Sequence, residues 1–487
     1  MNHMPYAISH EPSAMKTAPA EHWNAVLEGV DGAEMCARLS LQMRERRLRF
    51  GDRVICPFLR PFFLDGGDEA RVREVSELLW TLGERVAQAA STDRPLLLHD
   101  LVLSDAEIAL ARIDPGYATT STAARADAFI LPDSLQFAEY NAESPAGAGY
   151  SQRLAELFDG EPVMSAFRQQ FEARFARPVE ALLDALVASY REWGGTASPP
   201  RMAIVDWREV PTYSEFEILR DAFTALGVPT IICDPRDLEF AAGARFSGAA
   251  GRGLYAKGER IDLVYRRVLI NDIVARETEC RALLDAYRSK TVCVANSLRC
   301  KIPHKKAFFA VLTDERHQNM FSEAERAMIR RHVPWTALVE ERRVLVDGQS
   351  VDLLPHLRTR RDEFVIKPND EYGGTGVTLG WETSEREWDV TIARALAERD
   401  PSTPLGAGRG WVAQRRIAVR REMFPVCDTD PTAPGGVRTT QRDMLVDFAP
   451  YIFRGRLAGY LTRLSASGLA NVTSGGGQVP AFVVRQA

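Results

Sequence analysis

Two short tracts place polar residues where strands rarely carry them. Arg125-x-Asp127 sits in an apolar run, and Glu139-x-Asn141 begins twelve residues after Asp127. Residues i and i+2 of a strand share a face, so each pair points one way. Pro132-Asp133-Ser134 between them reads as a turn. Paired as a hairpin, the tracts would bring together three oxygen ligands, Asp127, Glu139 and Asn141, and the Arg125 guanidinium. Hard oxygen ligands of this kind suit magnesium, which keeps waters and shares phosphate oxygens. Arg125 could neutralise charge developing on a transferred phosphoryl group. A solvated sheet face carrying an ion pair is the plainer alternative. Asp, Glu and Asn are poor strand formers, however, so gathering them on strands needs a reason.

A second tract, Phe364-Val365-Ile366-Lys367-Pro368, runs into Asn369-Asp370-Glu371-Tyr372-Gly373-Gly374-Thr375-Gly376-Val377. An apolar strand ending in Lys, a glycine loop and a Val-Thr-Leu return suit phosphate binding. The glycines let backbone N–H groups approach an anion, and Lys367 adds a point charge. The lysine precedes the glycines, so this is neither a P-loop nor a dinucleotide fingerprint. An ordinary hairpin turn is the alternative. Lys305-Lys306 opens an apolar helix at Ala307-Phe308-Phe309. Trp411-Val412-Ala413-Gln414-Arg415-Arg416-Ile417 is either a strand whose backbone edge pairs with an adenine or a core strand. Arg463, on the apolar strand Tyr460–Leu464, is placed to aim into a cleft. Asn471 and Ser474-Gly475-Gly476-Gly477 follow as a second ligand candidate and a loop or turn.

The elements that must hold these residues are partly legible. Val72, Val75, Leu78, Leu79, Leu82 and Val86 predict a helix over about 69–90. Residues 1 to about 30 read as a poorly ordered arm. A long helical region is expected over about 150–193, with a break at Pro178. Met202–Val205, Val228–Cys233 and Asp262–Tyr265 alternate with helical patterns, which predicts a small parallel sheet. Ser214-x-x-Glu217 reads as a capping box and Gly227 as its helix's end. Residues 421–437 read as an exposed loop, and Tyr451–Phe453 with Leu457–Leu464 as a hairpin. The expected fold class is α/β and α+β in several lobes. The divisions are 1–100, an N-terminal arm and helices; 101–200, the polar hairpin and a helical region; 201–300, an α/β domain; and 301–487, the glycine-loop lobes.

Composition narrows the function. The chain has 487 residues, 45% hydrophobic and 26% charged, with net charge -5. Its length suits two or three lobes. The acidic balance argues against a dedicated nucleic-acid binder. No apolar run is long enough for a membrane span, and the N-terminal residues lack the pattern of a secretory signal. Seven cysteines without a Cys-x-x-Cys pair argue against a disulfide framework or structural zinc. The cytoplasm is the default compartment. No Ser/His/Asp hydrolase elbow is visible.

Taken in order, the Lys306 helix, the Lys367 glycine loop and the Gln414 strand resemble the nucleotide clamp of the ATP-grasp fold. Arg125, Asp127, Glu139 and Asn141 come before that clamp. This order resembles the circularly permuted branch, which includes glutathionylspermidine synthetase and eukaryotic-type glutathione synthetase. Glu139-Tyr140-Asn141-Ala142-Glu143-Ser144-Pro145 is similar to that branch's Glu-aromatic-Asn-Ala-Asp-Thr-Pro segment. The likeness covers about 100–487. It implies ATP and Mg2+ as cofactors, with Asp127, Glu139 and Asn141 as metal ligands. Lys306, Lys367 and the Gly373-Gly374-Thr375-Gly376 loop would contact phosphates, and Gln414 would sit near the adenine. Arg125 would stabilise the phosphorylated intermediate, and Arg463 would face the reacting carboxylate. Residues 201–295 would be the substrate side.

The implied activity is an ATP-dependent carboxylate–amine ligase working through an acyl phosphate, with a small-molecule carboxylate and amine as partners. Family analogy alone suggests a homodimer. Arg415 stands where many ATP-grasp proteins keep a carboxylate for the ribose, so ribose recognition stays open. A small-molecule kinase would use the same clamp. A non-catalytic nucleotide-binding scaffold is expected to lack metal ligands, and all three candidates are present. In an unpermuted order, Asp447 and Asn471 would be the metal residues instead.

Overall fold

The computed structural model describes residues 18–242, 251–399, 409–430, 432, 436–466 and 476–487. The helix Gly66–Ser91 starts where the Asp65 carboxylate accepts the Asp68 backbone N–H at 2.7 Å. Its stripe of Val72, Val75, Leu79, Leu82 and Val86 is buried. That stripe joins a core shared with Phe137, Phe308 and Phe448. Cutting one such leucine to alanine costs about 2–5 kcal/mol, so the helix is a fixed wall behind the polar hairpin.

The hairpin lies in a six-stranded antiparallel sheet. Its path runs Gly477–Val479, Arg456–Ser465, Val437–Phe453, Ala123–Ile130, Leu135–Asn141, and Arg421–Thr429 also pairs the long Val437–Phe453 strand. The expected hairpin around Arg454-Gly455-Arg456 is therefore present. A second sheet is parallel, in the order Cys293–Ala295, Leu263–Arg266, Met202–Val205, Thr230–Cys233. A third, antiparallel sheet holds Thr336–Leu338, Trp411–Arg415, Phe364–Pro368 and Thr378–Leu379 in that order. The C-terminal strand Ala481–Gln486 pairs with both Phe62–Asp65 and Phe171–Arg174. Among the described residues no helix is long and apolar enough to cross a membrane.

Several expectations need correction. Within the supposed N-terminal arm, Pro19–Leu27 is a helix. Its Trp23 is fully buried and donates to the Leu59 carbonyl at 3.0 Å. The region 150–193 is interrupted by the strand Phe171–Arg174, which the C-terminal strand recruits. Ser214 caps nothing: the helix Tyr213–Ala225 follows Thr212, and the Ser214 hydroxyl donates to the Arg49 carbonyl. The supposed loop at 421–437 contains the strand Arg421–Thr429, whose Phe424 and Val426 are buried. One disulfide joins Cys36 to Cys427, with Cα atoms 5.9 Å apart. The other five cysteines are buried and free, as core residues. Disulfides persist in oxidising compartments, so cysteine usage no longer argues for the cytoplasm.

Candidate functional site

The hairpin register places Arg125 opposite Asn141 and Asp127 opposite Glu139. All four residues therefore share one face. A bulge follows Asp127, which fits a sheet that re-aims side chains at a site. Arg125 Nε donates to Asp127 Oδ1 at 2.8 Å, and Arg125 Nη1 donates to the Ala146 carbonyl at 2.8 Å. From two strands away in the same sheet, across Val437–Phe453, Arg463 Nη2 donates to Asp127 Oδ2 at 2.6 Å. Burial alone would raise the Asp127 pKa, but the two guanidinium groups outweigh it and hold the carboxylate well below its ordinary range.

Arg463 also reaches a carboxylate outside the main predicted set. Its Nε donates to Asp447 Oδ2 at 2.7 Å. Asp447 is 2% exposed, and its Oδ1 is buried with no hydrogen-bond partner. Burial, offset by Arg463 and reinforced by the Asp127 charge, pushes Asp447 up to about 6. Arg463 thus joins Asp447 to Asp127. A carboxylate inside the apolar run Met444–Ala449 was the signal for it. Asn471 lies outside the described residues.

The glycine loop faces the same place. Phe364–Pro368 and Thr378–Leu379 form the expected hairpin, with Ile366 opposite Thr378. Gly376 has φ +72° and an added Cβ would lie 2.7 Å from Pro368 Cγ, so this turn requires glycine. Gly373 and Gly374 are also left-handed, and Thr375 is exposed. Lys306 stands at the start of the helix Ala307–Thr313, 3.4 Å from Glu139 Oε1. Lys367 Nζ donates to Gln414 Oε1 at 2.6 Å and to the Ala138 carbonyl at 3.2 Å. Desolvation lowers Lys367 to about 8; Lys306 adds to this, while Glu139 and Asp127 oppose it.

Gln414 does not offer a free backbone edge. It pairs with Thr336 on one side and Val365 on the other, so the core-strand alternative describes it. Its side chain is buried between Lys367 and Thr336. Arg415 makes a two-pronged pair with Asp347 at 2.8 and 2.6 Å.

Sequence reasoning missed what joins these parts. Lys301 Nζ donates to Asp370 Oδ1 at 2.8 Å and Glu143 Oε2 at 3.2 Å. Lys305 Nζ donates to Asp370 Oδ2 at 2.6 Å and Glu107 Oε1 at 2.8 Å. Arg266, from the parallel sheet, pairs with Glu143 at 3.3 Å. Burial works against the Glu143 charge, but Lys301, His304 and Arg266 prevail and hold it down at about 2. Asn369 adds uncharged ties, accepting from Ala307 N–H at 2.8 Å and donating to the Leu101 carbonyl at 2.9 Å.

Magnesium asks for hard oxygen donors. Asp127, Glu139 and Asn141 supply them on one face; the buried unpartnered atom of Asn141 is its amide nitrogen, and exchanging the two amide positions, which share one shape, puts Oδ1 there. That chemistry fits the cation. Among the described residues no group of three or more His, Cys, Asp or Glu is suited to a metal, so this set counts an amide beside two carboxylates.

No protein-family model matches the chain, and no curated protein matches it. Among solved structures, it is similar to a glutathione synthetase-like effector from Globodera pallida in its apo form. The TM-score is 0.56 at 12% identity, covering 93% of this chain and 98% of that one. The two therefore share a fold over nearly their whole length. A structure assigned provisionally to a gamma-glutamylcysteine synthetase of Methylobacillus flagellatus KT aligns at TM-score 0.39 and 11% identity, over 81% and 83% of the two chains. That score carries no argument.

Proposed function

We propose that the protein is an ATP- and magnesium-dependent ligase joining a small-molecule carboxylate to an amine. One observation carries the reading. Glu139, on the face it shares with Arg125, Asp127 and Asn141, lies 3.4 Å from Lys306, and Lys367 at the root of the glycine loop donates to the Ala138 carbonyl beside it. The fold shared with a glutathione synthetase-like protein supports it.

In this reading Lys306, Lys367 and the loop N–H groups hold the nucleotide phosphates. Asp127, Glu139 and Asn141 would hold magnesium, which when bound neutralises phosphate oxygens. A substrate carboxylate oxygen attacks the γ-phosphorus, ADP leaves, and an acyl phosphate forms. The amine nitrogen then attacks the carbonyl carbon, the C–O bond to phosphate breaks, and an amide results. Arg125 and Arg463 stabilise the charge on the transferred group. Catalysis is positioning plus charge neutralisation, so no protein nucleophile is required.

The test incubates the protein with ATP, Mg2+ and pooled amino acids, short peptides and polyamines. The expected product mass is two substrates minus water, with phosphate release. A substrate that gains only a phosphoryl group makes the protein a kinase. Absence of any turnover, together with no binding of ATP, refutes the clamp itself.

A further inference from the structure

Both oxygens of Asp127 are already occupied by guanidinium groups. Oδ1 takes Arg125 Nε at 2.8 Å, and Oδ2 takes both Arg463 Nη2 at 2.6 Å and Arg125 Nη2 at 3.3 Å. Oδ2 thus has both lone pairs engaged, and a cation that coordinates it must displace one of these bonds. The two arginines differ in what else holds them. Arg125 has the Ala146 carbonyl, a neutral acceptor at 2.8 Å. Arg463 has Asp447, a buried carboxylate bonded through Nε at 2.7 Å and also contacted by Nη2. Asp447 keeps a second oxygen, Oδ1, buried and without a partner. It therefore has unused capacity for a guanidinium N–H that lets go of Asp127.

The charges point the same way. Two guanidinium groups meet two carboxylates across three consecutive strands, with Arg463 shared between Asp127 and Asp447. If a divalent cation takes over Asp127 Oδ2, Arg463 loses one counter-charge in a buried place, where an unpaired charge is costly. With Asp447 beside it, the guanidinium stays paired and stays on the face where the phosphoryl group is transferred. Without Asp447, Arg463 has Asp127 alone and competes with the metal for it.

We propose that Asp447 is a positioning residue that receives Arg463 when Asp127 passes to a divalent cation. This rests on the ligase reading of the same site, because it takes Asp127 as a metal ligand. The arrangement makes the arginine a resident stand-in for the cation, and makes Asp447 the reason that the exchange leaves no orphaned charge.

The experiment is a double-mutant cycle read as Mn2+ binding in the presence of a non-hydrolysable ATP analogue. Free Mn2+ is followed by electron paramagnetic resonance, so no turnover is needed. Asp447→Asn keeps the side chain's shape and is expected to weaken Mn2+ binding at least tenfold. Arg463→Gln, which removes the competitor, is expected to leave binding equal or tighter. The double variant is expected to match Arg463→Gln within twofold, because Asp447 has then nothing to receive. If Asp447→Asn weakens binding equally in both backgrounds, Asp447 acts only through its charge and the proposal is overturned. If Arg463→Gln alone weakens binding, it is overturned without reference to Asp447, which keeps the test valid should Asp447→Asn not fold. Asp127→Asn separates the two levels. If that change leaves Mn2+ binding intact, the metal assignment in the ligase reading fails. If it abolishes binding while the cycle shows no coupling, only the transfer of Arg463 is refuted.

Discussion

Lys367 gives the ligase reading a pH signature of definite sign. Desolvation, with Lys306 nearby, lowers its pKa to about 8 from an ordinary value of 10.5. The fold thus disfavours its charge by on the order of 3 kcal/mol below pH 8. That penalty fades between about 8 and 10.5, where the unfolded chain still binds the proton and the folded chain does not, so this group's contribution to stability rises with pH in that window. Nucleotide binding runs the other way. A triphosphate beside the amine restores the charged form, so above pH 8 binding must take up a proton. One site titrating at about 8 makes affinity at pH 9 about tenfold weaker than at pH 7. Calorimetry with a non-hydrolysable ATP analogue, in two buffers of different ionisation enthalpy, reads both quantities. Uptake near one proton at pH 9 is expected. Lys367→Arg keeps its charge throughout this range and should show a flat profile with no uptake. A flat profile in the unaltered protein would show that Lys367 does not meet the phosphates.

Three further predictions concern the rest of the site and its supports. Asn141→Ala should abolish magnesium-dependent turnover while Asn471→Ala leaves it, and phosphate release in the two variants checks this; loss only in the second would move the metal residues to the unpermuted order. Reducing the Cys36–Cys427 bond, which closes a span of 391 residues, should destabilise the protein by up to about 5 kcal/mol. Chemical unfolding with and without reductant measures it, with Cys36→Ser as the control. Glu143→Gln removes the buried negative charge that pairs with Lys301 and Arg266 and should cost about 3–5 kcal/mol, read as a lower unfolding midpoint in urea.

The sequence showed most clearly what depends on local spacing. Two-residue periodicity put Arg125 with Asp127 and Glu139 with Asn141, and a turn signal between them made the hairpin readable. The glycine loop was legible because its left-handed turn leaves few alternatives. What failed depended on distant partners. Arg421–Thr429 looks like a loop locally, but the long strand beside it supplies nine paired residues, from Arg421 opposite Leu445 to Thr429 opposite Val437. Phe171–Arg174 became a strand because the chain's last strand lies against it. Cys36 and Cys427 carry no spacing signal at all. The Gln414 strand stayed open between an edge and a core strand, because strand order within a sheet is a tertiary fact.

The buried charges behind the glycine loop tie its root to the polar hairpin. Asp370 follows Asn369 at the root of the glycine loop and is held by Lys301 and Lys305. Glu143 follows Asn141 by two residues and is held by Lys301 and Arg266. Lys301 therefore touches both the end of the polar hairpin and the root of the loop, and Lys305 directly precedes Lys306. Burying three cations with three carboxylates is an expensive way to gain stability, since apolar packing of the same volume often does as well. What it supplies is geometry, because each charge is satisfied only in one arrangement of three separate segments. Beyond Asp370 the ties are lighter: Tyr372 is 69% exposed, Lys306 Nζ reaches the Glu371 carbonyl, and three left-handed glycines follow. The charge network thus fixes the spacing between Asn141, Lys306 and Lys367.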